Sequence, residues 1–200
     1  MNRILSVTAA AAAALLFVAC ENPAKAPADA AIKAAEAAVA DVKGEAQKFV
    51  PDQLKAVQDA IAAARAKFTA GEFPAALTGA QDAVKKAAEL AAAIKAKKDE
   101  LTAAWKTAAA QMGVQVQAIN EKLAELAKAK KLPKGLDKDA VQKAKDGLAA
   151  LTKDWSDAAA RFGGGQLQEA VAAAKGLLSR AQEIAATLGA QPAGAAPAAK

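Results

Sequence analysis

Residues 73–112 read FPAALTGAQDAVKKAAELAAAIKAKKDELTAAWKTAAAQM. Apolar side chains recur here at Phe73, Leu77, Ala80, Val84, Ala87, Ala91 and Ile94, then past Lys98 at Leu101, Trp105, Ala108 and Met112. Steps of three and four mark one face of an α-helix, the a/d seam of a coiled coil. Neither proline nor glycine falls between Ala80 and Met112, so the backbone carries no stop signal there. The spacing predicts a helix of about forty residues, ~60 Å at 1.5 Å per residue. A compact single-layer core does not need such a length, and the helix is expected to link two packing units.

The same period extends to both sides. Towards the N-terminus it runs through Ile32, Ala35, Val39, Val42, Ala46 and Phe49, and through Leu54, Val57, Ile61, Ala64 and Phe68. Towards the C-terminus the seams are Val116, Ile119, Leu123, Leu126; Val141, Ala144, Leu148, Leu151, Trp155, Ala158, Phe162; and Leu167, Val171, Ala174, Leu178, Ala181, Ala185, Leu188. Stop signals separate them at Val50-Pro51-Asp52, Ala70-Gly71, Gly113, Leu132-Pro133-Lys134-Gly135 and Gly163-Gly164-Gly165. Six helices are predicted, and short connections make consecutive ones antiparallel. The expected fold is all-α: an elongated antiparallel bundle of coiled-coil-like hairpins, with a first unit over residues 30–96 and a second over 97–188. The first is expected to hold three helices, counting the front of the third, and the second four. The other arrangement is a single bundle in which the chain folds back at Lys97-Lys98-Asp99.

Many seam positions are alanine, which favours helix and lets backbones approach, but buries little surface. Stability is expected from the larger knobs, each worth roughly 1.5–3 kcal/mol when fully buried. Asp82 with Lys86, and Asp139 with Lys143, have the favoured acid-before-base spacing of four.

Displacing the sequence by 94 residues lays Phe68, Gly71, Phe73, Ala76 and Leu77 on Phe162, Gly165, Leu167, Ala170 and Val171. Leu54, Val57 and Ile61 then fall on Leu148, Leu151 and Trp155. A helical hairpin over 51–96 is thus repeated over 145–190, and Gly71 and Gly165 occupy turns that favour positive φ. The triple glycine lacks a preceding strand and a following Lys-Ser/Thr, so it does not read as a phosphate loop.

The ends differ in character. Arg3 followed by the apolar run Ile4–Ala19 reads as a signal peptide over residues 1–19, too short at about 15 residues to span a bilayer. Leu16-Phe17-Val18-Ala19-Cys20 resembles the bacterial lipobox, with Ala19 as the small residue before the modified cysteine. That resemblance implies cleavage before Cys20 and a lipid on its thiol. Ordinary signal-peptidase cleavage asks for small residues at −3 and −1, and Phe17 suits it less. Cys20 is the chain's one cysteine, so no disulfide can form within the chain. Residues 20–29 read as a flexible tether and 189–200, rich in Ala, Pro and Gly, as a disordered tail. Glu21 after Cys20 resembles lipoproteins sorted to an outer membrane, which implies a location facing the periplasm.

The stretch from Val50-Pro51-Asp52-Gln53-Leu54 to Phe68, Gly71, Phe73, Ala76 and Leu77 resembles uncharacterised alanine-rich bacterial envelope lipoproteins built of helical hairpins, as does the run 130–137 ahead of its hairpin. The resemblance implies a fold and a location, not an activity. A terminal Lys200 on a flexible tail is similar to the murein lipoproteins, whose final lysine is joined to peptidoglycan, and implies a cell-wall attachment point.

The sequence offers little catalytic chemistry. Histidine is absent, which removes triads, most metal sites and the commonest general base; no cofactor or metal site is expected. Glu121 and Glu125 read as solubilising carboxylates. Two tryptophans, five phenylalanines and no tyrosine give no basic-aromatic interleaving for nucleic acid, and Trp105 and Trp155 read as neighbours in a core. Lys128, Lys130, Lys131, Lys134 and Lys138 surround the loop after the fourth helix, either as cations suited to a helix C-terminus or as a contact for an anionic surface. Without Arg3 the chain keeps 26 basic against 21 acidic residues, an excess that reads as spread along its length. Two roles are expected: a non-enzymatic lipid-anchored envelope protein engaging another envelope protein or peptidoglycan, or a tetratricopeptide-like module binding a peptide or other ligand.

Overall fold

In a computed structural model, which describes residues 22–190, the chain is all-α, with helices α1 (Lys25–Phe49), α2 (Pro51–Thr69), α3 (Phe73–Lys128), α4 (Lys138–Gly163) and α5 (Leu167–Leu188). Five helices, not six, make up the described residues. The expected break at Gly113 does not occur, and α3 also passes unbroken through Lys97-Lys98-Asp99. The reason lies in the seam. Leu101, Trp105, Ala108, Met112, Val116, Ile119, Leu123 and Leu126 keep steps of three and four across the glycine, and from Trp105 and Met112 on one side to Val116, Ile119, Leu123 and Leu126 on the other they address one core. A helical glycine costs about 1 kcal/mol relative to alanine, less than burying one large apolar side chain returns. Met112, Ile119, Leu123 and Leu126 are all buried.

Where helices do end, the seam step lengthens to five, from Phe49 to Leu54, Phe68 to Phe73 and Phe162 to Leu167. Pro51 opens α2, where its missing N–H is no loss. α2 ends on Gly71 at φ 81°, with the Gly71 N–H donating to Phe68 O at 3.0 Å and the Glu72 N–H to Lys67 O at 2.9 Å. α4 ends on Gly165 at φ 79°, and its bonds are the same: Gly165 to Phe162 O at 3.1 Å and Gln166 to Arg161 O at 3.0 Å. This pairing is the Schellman closure, which needs a left-handed residue after the helix.

α1 begins earlier than the tether reading allows. Asn22 Oδ1 accepts the Ala24 N–H at 3.0 Å, the Asn22 carbonyl accepts that of Lys25 at 2.8 Å, and Ala28 is fully buried. Pro27 sits in the first turn, where proline is tolerated. Residues 25–29 are therefore helix.

The chain divides into two compact units between Ile94 and Lys95. In the first, α1, α2 and the front of α3 meet through small residues: Ile32, Ala64 and Ala80 form one cluster with Phe68 beside it. A methyl group added at Gly79 would lie 3.5 Å from the Ala64 Cβ, so α2 and α3 approach closely there. Phe68 and Phe73 meet edge to face at 5.1 Å across the turn.

In the second unit the rear of α3, α4 and α5 close over Met112, Ile119, Leu123, Leu126, Leu148, Leu151, Leu177 and Leu188. It holds three helices rather than the four expected, because the predicted fourth is the continuation of α3. No polar or charged side chain is buried among the described residues. The surface carries ion pairs such as Arg65 with Glu36 and Arg180 with Asp154 at 2.6 Å, of the exposed, screened kind that adds little to stability. Asp82 meets Lys85 at 3.5 Å rather than Lys86, and Asp139 and Lys143 form no ion pair.

Candidate anion-binding groove

The connection from α3 to α4 covers residues 129–137, and two leucines hold it to the second unit. Leu132 and Leu136 are half-buried against that unit's core. Between them, Gly135 takes φ 91° and the Leu136 N–H donates to Pro133 O at 3.1 Å. Asp137 then caps α4, accepting the Ala140 N–H on Oδ1 at 2.7 Å. This carboxylate satisfies a donor that the first turn leaves open.

The pinned loop walls a groove of about 520 Å³ lined by Leu126, Ala129, Lys130, Lys131, Leu132, Lys138, Val141, Gln142 and Lys145. Its floor is aliphatic and its rim carries four lysines. Lys138, Val141 and Lys145 share one face of α4, at steps of three and four. Of the five lysines singled out in the sequence, Lys130, Lys131 and Lys138 line the groove; Lys128, the last residue of α3, and the loop residue Lys134 do not. Lys145 belongs to the lining although the sequence reading passed over it, and the signal was its seven-residue spacing from Lys138. All six lysines are exposed, and none forms an ion pair with another described residue.

The positive excess is not spread along the chain. Residues 128–145 hold seven lysines against two aspartates, an excess of five. Over residues 22–190 there are 25 basic and 20 acidic residues, also an excess of five, so the rest of the described chain is neutral. Nor is the cluster explained by helix dipoles. Lys128 suits the C-terminus of α3, but Lys138 is the first residue of α4, next to the positive end of that helix. Its charge opposes local helix stability and is offset by Asp137 and Asp139.

Other grooves also lie in the second unit. One of about 470 Å³ sets Asp137, Asp139 and Glu183 against Lys143, and one of about 370 Å³ sets Asp154 and Asp157 against Arg161 and Arg180. A third, of about 250 Å³, is walled by Met112, Gly113, Val116, Leu151 and Trp155. Of these four grooves, the one at the α3–α4 loop sets an aliphatic floor beneath four lysines and Gln142, with no carboxylate in its lining.

Trp105 stacks on Trp155 at 5.0 Å and on Phe162 at 4.8 Å, which joins α3 to α4 and leaves the rings engaged with one another. Glu121 accepts from Gln117 at 2.9 Å, and Glu125 pairs with Lys122 at 2.9 Å. Both are exposed, and nothing apolar encloses them as an acid/base pair would require. Among the described residues no group of three His, Cys, Asp or Glu could hold a metal ion, and no helix is long and apolar enough to cross a membrane. Cys20 and Lys200 lie outside the described residues. No protein-family model matches the chain, and no similar curated protein or solved structure is found.

Proposed function

We propose that the chain is a non-enzymatic, lipid-anchored protein of the cell envelope, acylated on Cys20 and facing the periplasm from an outer membrane, that engages another envelope component through its helical surface. The observation that carries this reading is the position of the single cysteine directly after the apolar run Ile4–Ala19. Metabolic labelling with a fatty-acid analogue tests the anchor: wild type takes up label and Cys20→Ser does not. Equal labelling of the two would end the proposal.

A second reading is a tetratricopeptide-like module that holds a peptide or other ligand between hairpins. It is favoured by the identical hydrogen bonding of the Gly71 and Gly165 turns. Crosslinking in cells followed by recovery of the acylated protein separates the two. One abundant envelope partner, or the cell wall, supports the first; a set of peptides supports the second.

A further inference from the structure

We propose that the groove at the α3–α4 loop docks on an anionic phospholipid surface, with Lys130, Lys131, Lys138 and Lys145 on the phosphates and the Leu126–Leu132–Val141 floor against the apolar part of the lipid. This deepens the envelope reading by naming the surface that the second unit meets, and it rests on that reading only for the location.

Three observations select this occupant. The first is charge complementarity. The four rim lysines are exposed and pair with no carboxylate among the described residues, while the segment containing them holds the whole positive excess of the described chain. Some lysines elsewhere are paired, as Lys33 is with Asp29 at 2.6 Å and Lys55 with Asp59 at 2.6 Å; those that are not, such as Lys43, Lys67 and Lys106, stand outside this segment, where acidic residues balance the basic ones. An array of unpaired lysines draws an anionic surface within a Debye length.

The second is the floor. A fully polar polyanion gains nothing from Leu126, Leu132 and Val141, whereas an amphiphile pairs a phosphate with carbon, and lysine stems can lie along apolar surface while their ammonium groups stay wet. The third is the absence of an aromatic side chain from the lining. Bases of single-stranded nucleic acid bind on aromatic platforms, and the rings of this unit are stacked on one another at Trp105, Trp155 and Phe162. At about 520 Å³ the groove falls within the roughly 300–1,000 Å³ of ligand sites, enough for a headgroup and the start of an acyl chain.

The test uses the chain from residue 20 to Lys200 carrying Cys20→Ser, so that neither an acyl group nor the apolar leader contributes. It is sedimented with vesicles of phosphatidylglycerol and phosphatidylcholine, and with vesicles of phosphatidylcholine alone. Binding is expected to the first only, to weaken with salt, and to fall on the order of tenfold for Lys131→Ser with Lys145→Ser. The control Lys85→Ser with Lys86→Ser removes the same charge from the first unit and is expected to leave binding unchanged. Circular dichroism checks that both variants keep their helix.

Absence of binding to the anionic vesicles overturns the proposal. So does an equal loss in the control, which would make the effect one of net charge. Retention on purified peptidoglycan sacculi that exceeds retention on anionic vesicles overturns it in favour of a cell-wall ligand. Because the protein carries no lipid here, these outcomes are independent of the fatty-acid labelling that decides the anchor.

Discussion

The two units answer the same packing problem with different connections. Each brings three helical segments around an apolar core, and each contains a glycine turn with the same pair of closing bonds. The first joins α1 to α2 through Val50 alone and α2 to α3 through residues 70–72. Its described part, 22–94, carries nine basic and nine acidic residues. The second spends nine residues, 129–137, on the α3–α4 connection and has 16 basic against 11 acidic residues over 95–190. A three-helix unit of this kind therefore folds without a long basic loop. What the second unit has in excess of the first is a loop that its leucines tie to the core and lysines that stand on the surface.

Emptying one core shows whether the other unfolds with it. Both tryptophans, Trp105 and Trp155, lie in the second unit, so their fluorescence reports that unit alone. Leu151→Ala removes a side chain with no exposure and is expected to cost about 2–5 kcal/mol, read as a lower urea midpoint by fluorescence. Ile61→Ala in the first unit is expected to move the circular dichroism transition and leave the fluorescence midpoint in place. If it moves the fluorescence midpoint as far as Leu151→Ala does, the units unfold as one and the comparison fails.

The glycines sharpen it next. Gly71→Ala and Gly165→Ala each place a methyl group at positive φ and are expected to destabilise their own unit by roughly 1–2 kcal/mol. Gly113→Ala, inside α3 with open space around an added Cβ, is expected to stabilise by about 0.5–1 kcal/mol. Thermal melts that showed one sign for all three would overturn the account of which glycines turn the chain. Asp137→Ala follows, with a loss of about 1 kcal/mol in the second unit from the missing cap; Asp137→Asn, which can still accept the Ala140 N–H, should recover most of it.

The smallest effect is set by pH. Hydrogen bonding to Asp157, then the charges of Asp157 and Asp154, hold the Lys153 ammonium above the ordinary lysine value of 10.5. Asp99 does the same for Lys95. A cation whose folded pKa is raised contributes stability that is fully present below its unfolded value and lost as pH rises through the folded one. A slight fall in the second unit's melting temperature is expected above pH about 10.5, and a shallower fall in Lys153→Met. The Arg65 guanidinium in the first unit, held above its ordinary value by hydrogen bonding to Glu36 and then by its charge, keeps its charge through that range and adds nothing to this fall.

Much of this was legible in the sequence, and the exceptions have physical causes. Periodicity located most seams because alanine-rich helices pack by face, but it ran one residue late in the front of α3, where Ala76, Ala83 and Leu90 are buried and Ala91 is exposed, and in α5, where Leu177 rather than Leu178 is buried; the 94-residue repeat found the turns at Gly71 and Gly165. Gly113 misled because a glycine was weighed without the phase of its neighbours, which passes through it unchanged. The start of α1 was obscured by Pro23 and Pro27, which suit a loop and a first helical turn equally well. For the groove, sequence proximity found Lys130, Lys131 and Lys138. Lys145 joins them only once α4 is wound and the loop is pinned by Leu132 and Leu136, and neither leucine belongs to a seam.

The rim lysines reach into no core and pair with no carboxylate among the described residues, so neither core depends on which charges stand there. Substitutions at these positions should drift freely under selection for stability and respond only to selection for what the groove meets. A lineage of this protein could retune, or even reverse, the sign of its contact surface in a few substitutions, with the two cores beneath left unaltered.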